Sequence, residues 1–196
     1  MSHRISTAVT ALTILILLGT AGCGVSTQHS ERYLRDLDNP ESSFAKEIDR
    51  FHIQLLLHGT REESPESRDS VFFDSVAFVR APHTLHVSTA FYGTTEDTAE
   101  IHSITMQVDD QAPIVLHGDN ETPIQLAFVP WLDHAVSANY ELPLGDKLPF
   151  VDGQHVTVDV EFVAPESTEL HAIRTVFRAE LRTRKISKFE MILKGA

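Results

Sequence analysis

Histidine is the residue type in this chain most suited to binding a metal ion, since ten of its eleven copies follow residue 22. Neutral imidazole is the commonest metal ligand among side chains, and carboxylates can complete a site. The candidate ligands are His83, His86, His102, His117 and Asp119. His83 and His86 would face opposite sides of a strand, so they could share an ion only if His83 lies in the preceding loop. No spacing matches a recognised metal-site framework, and surface histidines are therefore favoured over a metal centre.

Recognised catalytic motifs give no support to an enzyme. The sequence has no G-x-S-x-G elbow and no H-E-x-x-H helix, and its nine glycines are dispersed rather than gathered in a phosphate-binding loop. Serine, histidine and aspartate are frequent, so a triad could still assemble from distant positions. We expect a protein without catalytic activity and without a cofactor.

Cys23 is the only cysteine, and it closes an apolar N-terminal segment. Arg4 supplies a positive charge, residues 8–18 form an apolar run that two threonines interrupt, and small residues follow. This is the three-part pattern of a secretory signal peptide, and its apolar run is shorter than the roughly 20 residues of a membrane-spanning helix. We expect residues 1–22 to be removed. An ordinary secreted protein with a free thiol and an uncleaved anchor helix are the alternatives.

Thr20-Ala21-Gly22-Cys23 resembles the lipobox of bacterial lipoproteins, with Thr20 where an aliphatic residue is usual. The resemblance covers residues 1–24. It implies cleavage before Cys23 and two or three fatty acyl chains, palmitate among them, on the new N-terminal residue. Each buried methylene contributes roughly 0.8 kcal/mol, so two or more chains make a lasting membrane anchor. Gly24, and not aspartate, follows the cysteine, and the sorting rules of that family then imply the periplasmic face of the outer membrane.

The chain is acidic, with a formal net charge of −12 that becomes −13 if Arg4 leaves with the leader. Nucleic acid and anionic lipid headgroups are therefore disfavoured as partners. Residues 174–196 run against this trend, with seven Lys and Arg against two Glu. We favour the interpretation that they pair with acidic groups of the same domain or form a solvated strand face. The alternative is that they dock an acidic envelope protein. The docking candidates are Arg178, Arg182 and Arg184.

Trp131 is the lone tryptophan and stands in a V-P-W-L segment. An exposed tryptophan would be a plausible contact anchor for a partner. A tryptophan more often packs beneath its loop, because the indole buries a large area. We expect Trp131 to be buried, and keep it as a candidate interaction residue.

Most of the chain from Val71 onward shows the alternating pattern of half-buried strands. The clearest case is residues 155–163, in which one face carries Val156, Val158, Val160 and Phe162. Turn-forming clusters such as Gly118-Asp119-Asn120 and Asp152-Gly153 separate the runs. Seven or eight such strands predict a mainly β fold, an antiparallel β-sandwich that is immunoglobulin-like in layout. The lone cysteine leaves it without a disulfide, so burial of apolar side chains must hold the core.

The N-terminal part of the mature chain predicts a different arrangement. Residues 23–30 would form the lipidated cysteine and a flexible tether, since they are small and polar without apolar periodicity. Asn39-Pro40-Glu41 combines a favoured N-cap residue with proline at the first helical position, which predicts one short helix from Pro40 to about residue 50. A strand follows, then an exposed loop over residues 61–70. Residues 31–196 would form one domain.

Two functional hypotheses follow. The first is a non-catalytic cell-envelope lipoprotein, anchored to the membrane by lipid, whose sandwich presents a face to a protein partner or to the cell-wall layer. The second is a periplasmic lipoprotein that binds a metal ion through His and Asp or Glu side chains.

Overall fold

The structure, a computed structural model, describes residues 25–43, 45–63, 77–118, 120–132 and 134–187. These residues form eleven β strands and one short 3-10 helix, Gly145–Lys147. The strands are β1 Val25–Arg35, β2 Ala45–Ile48, β3 Phe51–Glu63, β4 Ala77–Phe91, β5 Thr98–Val108, β6 Ile114–His117, β7 Ile124–Ala127, β8 Val129–Leu132, β9 Ala135–Pro143, β10 His155–Val163 and β11 Leu170–Ser187. Within the described residues, no helix is long and apolar enough to cross a membrane.

The chain divides into two compact units. Of the described residues, the first holds 25–30, 61–63, 77–78 and 182–187, and within it His29 Nδ1 lies 3.1 Å from Thr183 Oγ1. The second comprises residues 31–60 and 79–181 and contains the apolar core and both pockets described below. The single domain expected over residues 31–196 stays a prediction.

The strands form two antiparallel sheets that pack against each other, which confirms the predicted β-sandwich. In one sheet the order is β1-β11-β10-β5-β6, with β7 also paired to β5. In the five-stranded sheet the order is β2-β3-β4-β9-β8. Alternation along β10 is as predicted: Val156, Val158, Val160 and Phe162 are at most 1% exposed, and the residues between them face outward.

The short helix predicted from Pro40 to about residue 50 is wrong, because Ala45–Ile48 form strand β2. Asn39 caps a single turn only: its Oδ1 accepts the Glu41 N–H at 2.9 Å, and its carbonyl accepts the Ser42 N–H at 3.1 Å. Ile48 then pairs with Phe51 across a two-residue hairpin in which Asp49 adopts a φ of 50°. Pairing with a neighbouring strand overrides the local helix signal. The strand predicted after residue 50 is present as β3.

The flexible tether predicted over residues 23–30 is also corrected, because β1 begins at Val25. Strand formation here follows from backbone pairing between β1 and β11, which a polar composition neither requires nor prevents. Cys23 and Gly24 lie outside the described residues.

Candidate functional site

The outer face of the five-stranded sheet carries a shallow pocket of about 320 Å³, which we call the Trp131 pocket. The residues that line it are His52, Gln54, Ser88, Thr89, Ala90, Trp131, Ser137 and Asn139. They come from β3, β4, β8 and β9. The pocket therefore spans four adjacent strands of one sheet.

Strand alternation places the polar lining. Odd-numbered residues of β4 from His83 to Phe91 are buried, so Ser88 and Ala90 face outward. The register of β4 against β9 sets Ser88 opposite Asn139 and Ala90 opposite Ser137. Residues directly opposite each other share a face of the sheet, so these side chains form one polar surface.

Trp131 reaches the pocket because of a bulge in the edge strand β8. Pro130 pairs with Val136 and Leu132 with Ala135, which leaves Trp131 as the extra residue between them. A bulge of this kind redirects a side chain. Trp131 is 58% exposed, so the expected burial beneath a loop is wrong. All four β8 residues are exposed, since the strand is at the sheet edge. No β8 side chain enters the core, and the strand is held in place by the preceding residue, Phe128.

Phe128 fixes the point where the chain leaves one sheet for the other. It follows β7, which pairs with β5, and precedes β8, which pairs with β9. The Phe128 ring is buried against Phe51 and Phe91, with centroid distances of 6.5 and 5.9 Å. This core contact positions the start of β8 and hence Trp131, three residues further on.

The Trp131 pocket is lined mostly by neutral hydrogen-bonding side chains, with His52 as its one ionisable residue. Its eight residues include no Asp, Glu, Lys or Arg. Gln54, Ser88 and Asn139 make no side-chain hydrogen bond to another described residue, whereas Thr89 is buried and its hydroxyl donates to the Ala138 carbonyl at 2.9 Å. His52 has its Nδ1 3.5 Å from the Glu47 carboxylate. Donors and acceptors are thus available beside an exposed indole.

The outer face of the six-stranded sheet differs, because its polar groups pair with one another. Arg174 donates to both Asp159 oxygens at 2.7 and 3.2 Å, and these bonds raise its pKa. Arg174 also donates to Glu41 at 3.2 Å, and the Ser103 hydroxyl donates to Glu161 at 2.7 Å. The polar side chains of this face largely hydrogen-bond to one another and are less available to a ligand. The Trp131 pocket is therefore the better binding surface.

The basic C-terminal segment is partly engaged in this way. Arg174 forms ion pairs with Glu41 and Asp159, as expected if the segment pairs with acidic groups of the same domain. Arg178 and Arg182 are exposed on β11, and the side chain of Arg184 lies outside the described residues. Docking of an acidic partner on these arginines stays a prediction.

The four candidate metal ligands that the structure describes do not converge. His83 and His86 both lie in β4, on its buried and outward faces respectively. His102 and His117 belong to the other sheet, where His102 Nε2 lies 3.4 Å from Glu100 and His117 Nδ1 lies 2.8 Å from Glu121. Asp119 lies outside the described residues. Across the described ranges, no three His, Cys, Asp or Glu side chains are arranged to hold a metal ion.

A pair of histidines lies further along the same outer face as the Trp131 pocket. The rings of His58 and His86 are 5.9 Å apart, and His86 Nδ1 lies 3.8 Å from Glu141. Burial lowers the pKa of His58, and the neighbouring His86 lowers it further. His58 was not a sequence candidate, because only the pairing of β3 with β4 brings it to His86.

A buried cluster in which aromatic rings pack on the imidazole surrounds His83, which is 0% exposed. Tyr33 packs edge-on against the imidazole at 4.8 Å, and Phe150 stacks on it at 6.1 Å. The Tyr33 hydroxyl donates to Gln154 at 3.1 Å, and burial raises its pKa. Gly59 lies against the ring, since a Cβ there would be 3.2 Å from His83 Cδ2. Both imidazole nitrogens are buried, and burial lowers the pKa of His83 although nearby Glu31 opposes this effect.

A second groove, of about 380 Å³, lies between β1 and β3. Leu55, Leu57 and Phe177 contribute apolar surface, and Arg32 and Arg35 also line it. The groove is mainly apolar, and its polar lining includes two guanidinium groups, whereas the lining of the Trp131 pocket has no arginine or lysine.

No known protein family, curated protein or solved structure matches this chain. Function must therefore be inferred from the geometry of the molecule itself. Trp131 stands out in the sequence as the only tryptophan. No such signal marks Gln54, Ser88, Ser137 or Asn139, since single polar residues in strands form no motif. Their outward alternation was readable, but the strand order that brings them together was not.

Proposed function

We propose that this protein is a non-catalytic cell-envelope lipoprotein that binds a partner through the Trp131 pocket. Lipid on Cys23 would hold it at the periplasmic face of the outer membrane. The observation that supports binding is the indole of Trp131, which is 58% exposed beside uncharged hydrogen-bonding side chains. An exposed tryptophan that a bulge holds beside polar groups is suited to contact a ligand.

The chemistry of the Trp131 pocket favours binding over catalysis. General acid–base catalysis needs ionisable groups within reach of the reacting atoms. His52 is the only Asp, Glu, His, Lys or Arg among the eight lining residues, and its carboxylate neighbour Glu47 does not line the pocket. A pocket with one ionisable group and many neutral ones is better suited to hold a ligand than to transform it.

The proposed anchor rests on the lone thiol and the leader ahead of it. Strand β1 begins two residues after Cys23. Since consecutive Cα atoms are about 3.8 Å apart, at most about 8 Å separates Cys23 from the first strand residue. A lipidated Cys23 would therefore leave almost no tether ahead of β1.

Replacing Cys23 with serine is expected to abolish acylation and move the protein from the membrane fraction to the soluble fraction. Without acyl chains, the roughly 0.8 kcal/mol per buried methylene that holds the anchor is lost. The measurement is incorporation of a labelled palmitate analogue together with fractionation of wild type and Cys23→Ser. A wild-type protein that is unlabelled and keeps residues 1–22 would contradict the proposed anchor.

Binding by the Trp131 pocket can be followed directly, because Trp131 is the only tryptophan in the chain. Its fluorescence reports on the pocket without a label. Separate protein, lipid and polysaccharide fractions of the envelope of the native host are titrated into the full-length protein. At least one fraction should shift the emission to shorter wavelength and protect the indole from acrylamide quenching. If no fraction changes either signal, the proposed binding function is wrong.

A further inference from the structure

We propose that the ligand of the Trp131 pocket is a neutral glycan, that is, a chain of uncharged sugar units. This inference rests on the proposed binding function and adds the chemical class of the ligand. It is carried by three properties of the pocket: an exposed aromatic ring, planar amides with hydroxyls around it, and a lining without Asp, Glu, Lys or Arg.

The indole of Trp131 supplies the apolar contact that a sugar requires. One face of a pyranose ring presents C–H groups, which are weakly positive, and the face of an aromatic ring is negative. A sugar ring therefore stacks on an exposed indole, although both of its edges carry hydroxyls. Trp131 is the extra residue of the β8 bulge and is 58% exposed, so its indole is accessible to such a ring.

The amides of Gln54 and Asn139 supply the polar contacts. A side-chain amide has two N–H donors and a carbonyl acceptor in one plane, which matches the donor and acceptor character of adjacent sugar hydroxyls. The hydroxyls of Ser88 and Ser137 add groups that can donate or accept. Within the described part of the chain, the side chains of Gln54, Ser88 and Asn139 are not already committed to intramolecular hydrogen bonds.

Charge argues for a neutral ligand. No carboxylate, ammonium or guanidinium group belongs to the eight lining residues, although the chain carries a formal charge of −12. A phosphorylated or sulfated ligand would meet no lysine or arginine in this pocket and would be repelled by the acidic protein as a whole. A cationic ligand would find no carboxylate in the lining.

The surroundings of Trp131 also distinguish a glycan from a protein partner. Binding hot spots in protein interfaces cluster in well-packed, desolvated centres that are depleted of charge and rich in apolar groups. Here the lining beside the indole includes the amides of Gln54 and Asn139, the hydroxyls of Ser88 and Ser137 and the imidazole of His52, and the volume of about 320 Å³ lies at the lower end of small-molecule pockets. Leu132, next to Trp131, is exposed and apolar but does not line the pocket. A protein partner would bury Leu132, whereas a glycan held in the pocket would not need it.

The test uses full-length protein in a detergent without a sugar headgroup. The probes are an array of neutral oligosaccharides, including hexamers of β-1,4-linked glucose and of β-1,4-linked N-acetylglucosamine, and the neutral polysaccharide fraction of the native host's envelope. Polygalacturonate serves as the polyanionic control. The readouts are Trp131 emission for wild type and isothermal titration calorimetry for all variants.

We expect at least one neutral probe to bind and polygalacturonate not to bind. Trp131→Ala should weaken binding by about 30-fold or more, as truncation of a hot-spot residue does. Gln54→Ala and Asn139→Ala should each weaken it by about 2- to 13-fold, the effect of losing one hydrogen bond. Leu132→Ala is the matched control: it is 62% exposed and adjacent to Trp131, and should leave affinity within about twofold. Unchanged circular dichroism and thermal midpoint show that each variant folds.

Two results overturn this inference and leave the proposed binding function intact. One is that the protein fraction alone, and no neutral glycan, alters Trp131 emission. The other is that Leu132→Ala weakens binding as much as Trp131→Ala, which indicates a protein surface. If no probe and no envelope fraction affects Trp131, the inference and the proposed function both fail.

Discussion

Replacing Phe162 with alanine is expected to lower the free energy of unfolding by about 3–5 kcal/mol, the usual cost of truncating a buried phenylalanine. Phe162 is 1% exposed in β10, a central strand of the six-stranded sheet. Its ring lies 5.7 Å from that of Phe51, on the opposing sheet, and 5.8 Å from that of His171. The cavity left behind would therefore open between the two layers of the sandwich.

The magnitude matters because domains of this kind are stable by only about 5–15 kcal/mol. The sequence holds one cysteine, so no disulfide within the chain can compensate. Urea unfolding of wild type and Phe162→Ala gives the difference in the free energy of unfolding, when both proteins show the same slope of that free energy against urea concentration. Val151→Ala is the control, since that side chain is 57% exposed and an exposed substitution changes stability by less than about 0.5 kcal/mol. A loss below about 1 kcal/mol for Phe162→Ala would contradict its place in the core.

The free energy of unfolding is also expected to fall as pH is lowered below about 6.5, the pKa of an unperturbed histidine. Burial lowers the pKa of His83, and Glu31 offsets this only partly. Below pH 6.5 the unfolded chain therefore binds a proton that the folded chain resists. The free energy of unfolding has its full value above the pKa of His83 in the unfolded chain. As pH falls below that pKa, the free energy decreases by up to about 1.4 kcal/mol per pH unit, until pH reaches the lower pKa of His83 in the folded chain.

The His83→Leu variant tests this assignment, because it removes the titrating group from the buried cluster. Unfolding is measured in urea at several pH values between 7.5 and 4.5. The slope of stability against pH should be reduced by up to about 1.4 kcal/mol per pH unit in the window below 6.5. The control is Leu85→Val, a fully buried apolar change two residues along β4. It should lower stability by a similar amount at every pH.

His58 adds to the same acid dependence, since its pKa is also lowered. Part of the slope should therefore survive in His83→Leu and fall further in the variant that also carries His58→Gln. If His83→Leu keeps the whole slope of the parent, the buried imidazole is not its origin.

The sequence alone predicted the sandwich and its best strand, because alternation of apolar and polar residues follows from the two-residue period of a strand. Residues 155–163 have no competing signal, so local pattern and tertiary structure agree there. The segment from Pro40 to residue 50 had a helical signal, and it became strand β2 since pairing with β3 outweighs a cap and a proline. The polar residues after Gly24 likewise joined a sheet, because ladder hydrogen bonds come from the backbone and not from the side chains.

Exposure and convergence were decided only by the tertiary structure. The sequence showed that Trp131 is unique, but a bulge in an edge strand determined that its indole faces solvent. Gln54 and Asn139 are 85 positions apart in the chain, and only the order of strands β3, β4 and β9 places them on one surface. His83 and His86 are close in sequence, but their side chains lie on opposite faces of β4. Composition and periodicity report what each residue prefers locally, whereas a binding surface depends on which distant strands pair and in which register.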